Sequence, residues 1–494
     1  MKKQTTILAA MAMAMAVGML PAVPATAVEG SGAGDPAAAL RAAVAQACAA
    51  ATAVEGGGEA GGAAAAGGLL AQGAGDIADI ADIGDIGDEQ AAEASGLGGS
   101  ISRRVLAGDV AEYSFQVRVG PGVHDVFGLH RVVREVAPFV PVHAGRGLMM
   151  AHGDAWGFDA AFLSGLASPS PAALPVFLAQ NGIDVWGIDF RWSLVGSTTT
   201  DFSFMERWGM ATDAGDLAVA LAAARLTRQL TGDGAAPLDL LGWSRGGQTS
   251  YVFVNAETQV PPRLRQVGGL IVVESFLRTD QADVQQAACA RLAGEQMAIS
   301  GGTFASTSGT LFATLGGLAS SAPGGASPVI PGLTNSQAAI LAGAVTYSLL
   351  PPGQAFVPLY HFLSGVFNSQ GQPTGLAHTP AGTWYSMLAG ASPFEPEKVL
   401  ADGDAAVCGQ GTLPFGDHLA DITLPVLYVG AGGGIGQYGV YTTTLLGSHD
   451  VTLQVVALDP PAQRAFDLGH VDPYTATDAQ PLFWQPILTW LLAH

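Results

Sequence analysis

The stretch LDLLGWSRGGQTSYVF (238–253) sets Ser244 inside a Gly-x-Ser-x-Gly pattern. With 67 glycines in 494 residues the pattern alone says little, so its surroundings must decide. An apolar run precedes Ser244 and a segment able to form a helix follows it. That is the sequence of a strand-to-helix turn, which lifts a serine hydroxyl above a sheet. Side chains at Gly242 and Gly246 would clash with the neighbouring strand and helix. A serine hydroxyl attacks well only when a base takes its proton. Of ten histidines, His470 in FDLGHVDPY is the candidate: it follows the last expected strand and precedes the C-terminal PLFWQPILTWLLA helix. A third piece is LMMAHGDAWGFDAAFL (148–163). Here a strand ends at His152-Gly153, and the N–H of Asp154, or of Gly153, could pair with that of Arg245 to hold an oxyanion.

Other polar residues have simpler readings. Asp472 is expected to fix the loop of His470. His361 and His378 are expected to be packed or at the surface. Arg191 and Trp192, at a strand end, are candidates for lining the pocket. No histidine-carboxylate spacing suggests a metal. GAGGGIG (430–436) follows a strand like a phosphate cradle, but no acidic residue follows about twenty positions on, so no cofactor is assigned.

These pieces need a scaffold. EYSFQVRVG (112–120) alternates, with Tyr113, Phe115, Val117 and Val119 on one face and Glu112, Ser114, Gln116 and Arg118 on the other. That spacing predicts a half-buried strand, with DVFGLHRVVREV (125–136) as its hairpin partner. GLMMAHG, IDVWGIDF, PLDLLGW, GGLIVVES, LPVLYVG and TLQVVAL are short and almost continuously apolar, as parallel strands buried on both faces are. Helix-like stretches such as 211–230 lie between them. The alternation predicts a mostly parallel, doubly wound α/β sheet. Residues 277–410 break the rhythm and are too long for a loop, so they should be a domain inserted between two strands.

The chain begins MKKQTTILAAMAMAMAVGMLPAVPATA. Lys2 and Lys3 precede an apolar run from Leu8 to Leu20, and Ala25-Thr26-Ala27 is a small-x-small cleavage site. Residues 1–27 therefore read as a secretory signal peptide, and the protein as secreted or periplasmic. The run is shorter than the ~20 apolar residues a span needs, so no stable membrane span is expected after cleavage. Residues 28–105 form an Ala/Gly/Asp-rich arm or linker, with Asp at 76, 79, 82, 85 and 88. The chain carries 41 acidic against 20 basic residues, which excludes nucleic-acid binding. Cys48, Cys289 and Cys408 make no zinc spacing; in an oxidising compartment Cys289 and Cys408 could pair, or remain buried thiols.

Taken in order, the strand ending in HG, VWGIDFRW, GWSRGG, an insertion, LPVLYVG and GHVD resemble the α/β-hydrolase superfamily, in its lipase/esterase-like branch. The match covers roughly 106–276 and 411–494. The resemblance implies an acyl-serine mechanism, with Ser244 attacking and His470 shuttling the proton, and a largely helical cap at 277–410. It departs at the acid. Such enzymes commonly carry Asp shortly after the LPVLYVG strand, and here no acid appears until Asp450. The other family position is the end of the preceding strand, which offers Glu274; it is preferred to Asp280 and Asp450. The expected function is an exported serine hydrolase acting on a small-molecule or lipid-like carboxylic ester with an apolar acyl or alcohol part. An amide or peptide hydrolase with the same triad, and a non-catalytic binding protein on the same fold, are the alternatives.

Overall fold

A computed structural model describes residues 101–410 and 415–494. The expected signal peptide, most of the expected arm and Cys48 lie outside the described residues. The core begins earlier than residue 106: β1 (Ser102–Ala107) pairs antiparallel with β2 (Val110–Arg118), which pairs with β3 (Val126–Ala137), and the short β4 (Val140–Pro141) caps β3. β5 (Arg146–Ala151), β6 (Ile183–Asp189), β7 (Leu238–Trp243) and β8 (Val267–Val273) follow. Two-residue or short pairs, β9 (Ala305–Ser306) with β12 (Glu395–Pro396) and β10 (Gly365–Phe367) with β11 (Pro373–Leu376), stand apart. β13 (Val426–Ala431) and β14 (Val451–Val456) complete a ten-stranded sheet, nine strands in the order β1-β2-β3-β6-β5-β7-β8-β13-β14 with β4 off this path beside β3.

From β6 to β14 every neighbouring pair is parallel. Alternate residues of β5 divide between two cores, Leu148 and Met150 on one face and Met149 and Ala151 on the other. This explains the continuous apolar runs: both faces are covered. One face carries α1 (Leu174–Gln180) and the C-terminal helix; the other carries α2 (Met210–Leu230) and α3 (Arg245–Glu257). The chain passes from β5 outward to β6, then back across β5 to β7. The order therefore reverses between β5 and β7, and the crevice above their C-terminal ends is where such sheets bind ligands. β5 ends in His152-Gly153 and β7 ends at Ser244.

After β8 the chain leaves the sheet and returns at β13. The described residues between carry α4 (Ala282–Ser300), α5 (Ser308–Ser321), α6 (Asn335–Ala344), α7 (Ala381–Ala389) and α8 (Glu397–Cys408). Cys289 on α4 and Cys408 on α8 form a disulfide. The chain ends in α9 (Gln485–Ala493), which opens with a π-helical turn at Gln480–Trp484. No described helix is long and apolar enough to cross a membrane.

Candidate active site

Ser244 sits between β7 and α3 with φ 56° and ψ −123°, a conformation costly for any residue with a side chain. The turn is held from both sides. Ser244 N–H donates to Val273 O at 3.1 Å. A Cβ at Gly242 would run into the carbonyl of Gly246, and one at Gly246 would strike the Ala151 and His152 carbonyls. The glycines are thus the price of crossing the strand and helix so tightly.

His470 and Glu274 come from distant segments. His470 N–H donates to His361 O at 2.9 Å, and Trp243 Nε1 donates to His470 O at 3.2 Å. Asp472 accepts the N–H of Gly469 at 2.7 Å and of Ser364 at 2.8 Å, so it fixes this loop. His361 is fully buried, its ring nitrogens 2.8 Å from Leu359 O and 2.9 Å from Asp467 O. His378 is partly exposed, 3.5 Å from Asp478. The Nδ1 of His470 lies 3.0 Å from Glu274 Oε2, and both residues are buried. Neither alternative acid approaches the ring: Asp280 pairs with Gln281, and Asp450 lies 3.3 Å from His494.

Glu274 stands one residue past β8 with φ 53°. Its carboxylate accepts the N–H of Ala431 at 2.5 Å, of Ile435 at 2.6 Å and of Gly436 at 3.0 Å. With three donors already facing it, the contact to His470 is a donation from Nδ1, which leaves Nε2 as a proton acceptor. The glycine run 430–436 makes this wrapping feasible, since a Cβ at Gly434 would overlap the Glu274 carboxylate. The segment without an acid is therefore the cradle of the acid supplied by the neighbouring strand.

Ser244, His470 and Glu274 line one cavity of about 270 Å³, together with Asp154 and Arg245. Gly153 is not among its lining residues; it packs against the serine, a Cβ there falling 2.7 Å from Ser244 Cβ. Arg191 and Trp192 do not line it either. Arg191 is paired with Asp216 and Asp125, and Trp192 Nε1 donates to Asp213. Much of the wall is apolar, from Trp156, Phe312, Leu349, Phe356 and Phe362.

A polar wall was not foreseen from the sequence. Arg245 Nε donates to Asp154 Oδ1 at 2.9 Å, and Arg245 Nη1 donates to Gln248 Oε1 at 2.5 Å. Burial pushes the Asp154 carboxyl up, but Arg245 outweighs it and holds it below the usual range. Glu395, against Asp154, and Glu295, against Asp404, are pushed up by burial and then by those neighbouring acids, Glu295 to about 9. One oxygen of each, Glu295 Oε2 and Glu395 Oε1, has no hydrogen-bond partner among the described residues. Glu295, Glu395 and Asp404 arrive from α4, β12 and α8, outside every motif and from separate parts of the segment between β8 and β13, so no spacing could announce them.

No family profile and no curated sequence matches the chain. Solved structures do. A candidate lipase from Sulfolobus solfataricus aligns with a TM-score of 0.51 at 15% identity, covering 80% of this chain and 99% of that one. A soluble variant of monoglyceride lipase from Saccharomyces cerevisiae aligns at 0.42 and 10%, covering 82% and 98%. One of two fungal esterases from Rhizomucor miehei aligns at 0.39 and 12%, covering 78% and 83%. The protein has the α/β-hydrolase fold.

Proposed function

We propose that this protein is an exported serine hydrolase that cleaves a carboxylic ester with an apolar acyl or alcohol part. The observation that carries the reading is one cavity lined by a serine on a strained strand-helix turn and by a histidine whose Nδ1 is held by a buried carboxylate. In this reading Ser244 Oγ attacks the ester carbonyl while His470 Nε2 takes its proton. The N–H groups of Asp154 and Arg245 hold the oxyanion, and α3 adds the positive end of its dipole. The imidazolium then gives its proton to the leaving alkoxide, and the acyl-serine forms. Water, deprotonated by the same ring, releases the acid and restores the serine. The aromatic wall supports an apolar substrate part.

Labelling by a fluorophosphonate probe, together with turnover of p-nitrophenyl esters, tests the assignment. Ser244→Ala should abolish labelling and lower kcat by about a thousandfold or more; equal labelling of the variant and the wild type would remove it. Export is tested separately: the N-terminus of the secreted protein should be Val28.

A further inference from the structure

The two N–H groups read above as oxyanion donors stand on different elements. That of Arg245 opens α3, where an N–H has no intrahelical acceptor. That of Asp154 belongs to the turn after β5. Neither donates to a protein acceptor among the described residues. Such a hole works only if both donors keep a fixed separation and aim, within hydrogen-bond reach of the charge that forms.

The Asp154 turn keeps its shape only because it is held. Ala155 takes φ 65°, a left-handed conformation costly for a residue with a side chain. Phe190 N–H donates to His152 Nε2 at 3.2 Å, so the ring carries its proton on Nδ1, which donates to Gly153 O at 2.9 Å. A trans peptide points its N–H opposite its carbonyl, so this bond turns the Asp154 N–H away from the ring. On the other side, Glu395 Oε2 accepts the Ala155 N–H at 3.2 Å, and Ser392 N–H donates to Ala155 O at 2.8 Å.

One further contact ties the turn directly to the residue that carries the other donor. Arg245 Nε donates to Asp154 Oδ1 at 2.9 Å and Nη2 donates to Oδ2 at 3.2 Å, a two-point grip that fixes direction as well as distance. The guanidinium is held in turn. Its Nη1 donates to Gln248 Oε1, three residues along α3, and Gln248 Nε2 donates to Phe276 O at 2.9 Å. A Cβ at Gly403 would fall 1.6 Å from Nη1, so α8 closes directly on the group. The arginine therefore carries the position of α3 across to the turn. We propose that the Asp154–Arg245 ion pair is a positioning device for the reaction, coupling the two oxyanion donors through their own side chains. This inference rests on the serine-hydrolase reading above. Both donors are main-chain groups, so substitution of the side chains removes the coupling and leaves the N–H groups in place.

The test follows p-nitrophenyl ester turnover and the rate of fluorophosphonate labelling in the full chain, at a temperature well below the Tm of each variant. Asp154→Ala should lower kcat about a hundredfold while KM stays within about threefold. Labelling should slow in step, because the phosphonyl oxygen enters the same hole. Asp154→Asn keeps an acceptor for Nε and should lose only about tenfold, and it keeps the test decisive if the alanine variant fails to fold. Arg245→Ala should match Asp154→Ala, and the double variant should be no slower than the slower single. A kcat within about threefold of wild type in both Asp154 variants, or losses that add in the double variant, would overturn the proposal. So would a raised KM at constant kcat, which would place Asp154 on the substrate itself. Equal labelling of Ser244→Ala and wild type would instead remove the hydrolase reading.

Discussion

At Glu274 one carboxylate accepts three backbone N–H groups and the imidazole at once. Glu274→Gln keeps the shape but turns an N–H₂ toward groups that donate. The imidazole tautomer is then no longer controlled, and kcat should fall about 10⁴-fold. A variant with kcat within threefold of wild type, measured on p-nitrophenyl esters, would separate this residue from the chemistry. Glu295 makes a prediction of a different kind. Its folded pKa of about 9 lies far above the ordinary 4.5, because burial and Asp404 disfavour the ionised form. Between those values the folded chain holds a proton that the unfolded chain has released. Stability must therefore fall as pH rises through that window. Glu295→Gln should flatten the decline of Tm between about pH 7 and pH 9; an unchanged slope in thermal unfolding would show that Glu295 does not carry it.

At the scale of elements, the loop 430–436 is the test of how a glycine run can serve a neighbour. Gly434→Ala places a methyl on the Glu274 carboxylate. Activity should drop at least tenfold, accompanied by a lowered Tm, the strain costing about 1–3 kcal/mol; an unperturbed kinetic profile would mean the loop can move away. The same loop shows what the sequence made legible. The apolar runs marked the six strands that became β5–β8, β13 and β14; five are buried on both faces, which leaves no room for polar residues, whereas β14, expected to be covered in the same way, is the edge of the sheet with Leu453 and Val455 exposed. The alternation at 112–120 marked β2, although Glu112, expected to face outward, is buried against His130. Gly242 and Gly246 marked the turn at Ser244 through steric necessity. The missing acid was legible only as an absence, since the partner that fills it lies 157 residues away from Ala431 along the chain. β1 was lost because an edge strand with no buried residue carries no apolar pattern. The polar wall and the pairing of Glu112 with His130 depend on contacts between distant segments, which no local spacing records.

Across the whole molecule, other buried acids push the same way as Glu295. Burial raises Glu257 and Glu397 to about 7 and Asp239 to about 6. The chain also carries 41 acidic residues against 20 basic, so self-repulsion grows with pH. The disulfide works against unfolding from another direction. It closes a loop with a sequence separation of 119, and Cys289→Ser should cost about 2–4 kcal/mol, read from denaturant unfolding. Its location has a mechanical meaning too. The bond welds the helix by which the chain departs from the sheet to the helix by which it comes back, and those two carry Arg291, Glu295 and Asp404. The floor of the chamber next to the serine is thereby fixed at its root. A guest that needs more space must gain it elsewhere, by shifting α5 or α6, whose side chains Phe312 and Ala342 also line the chamber.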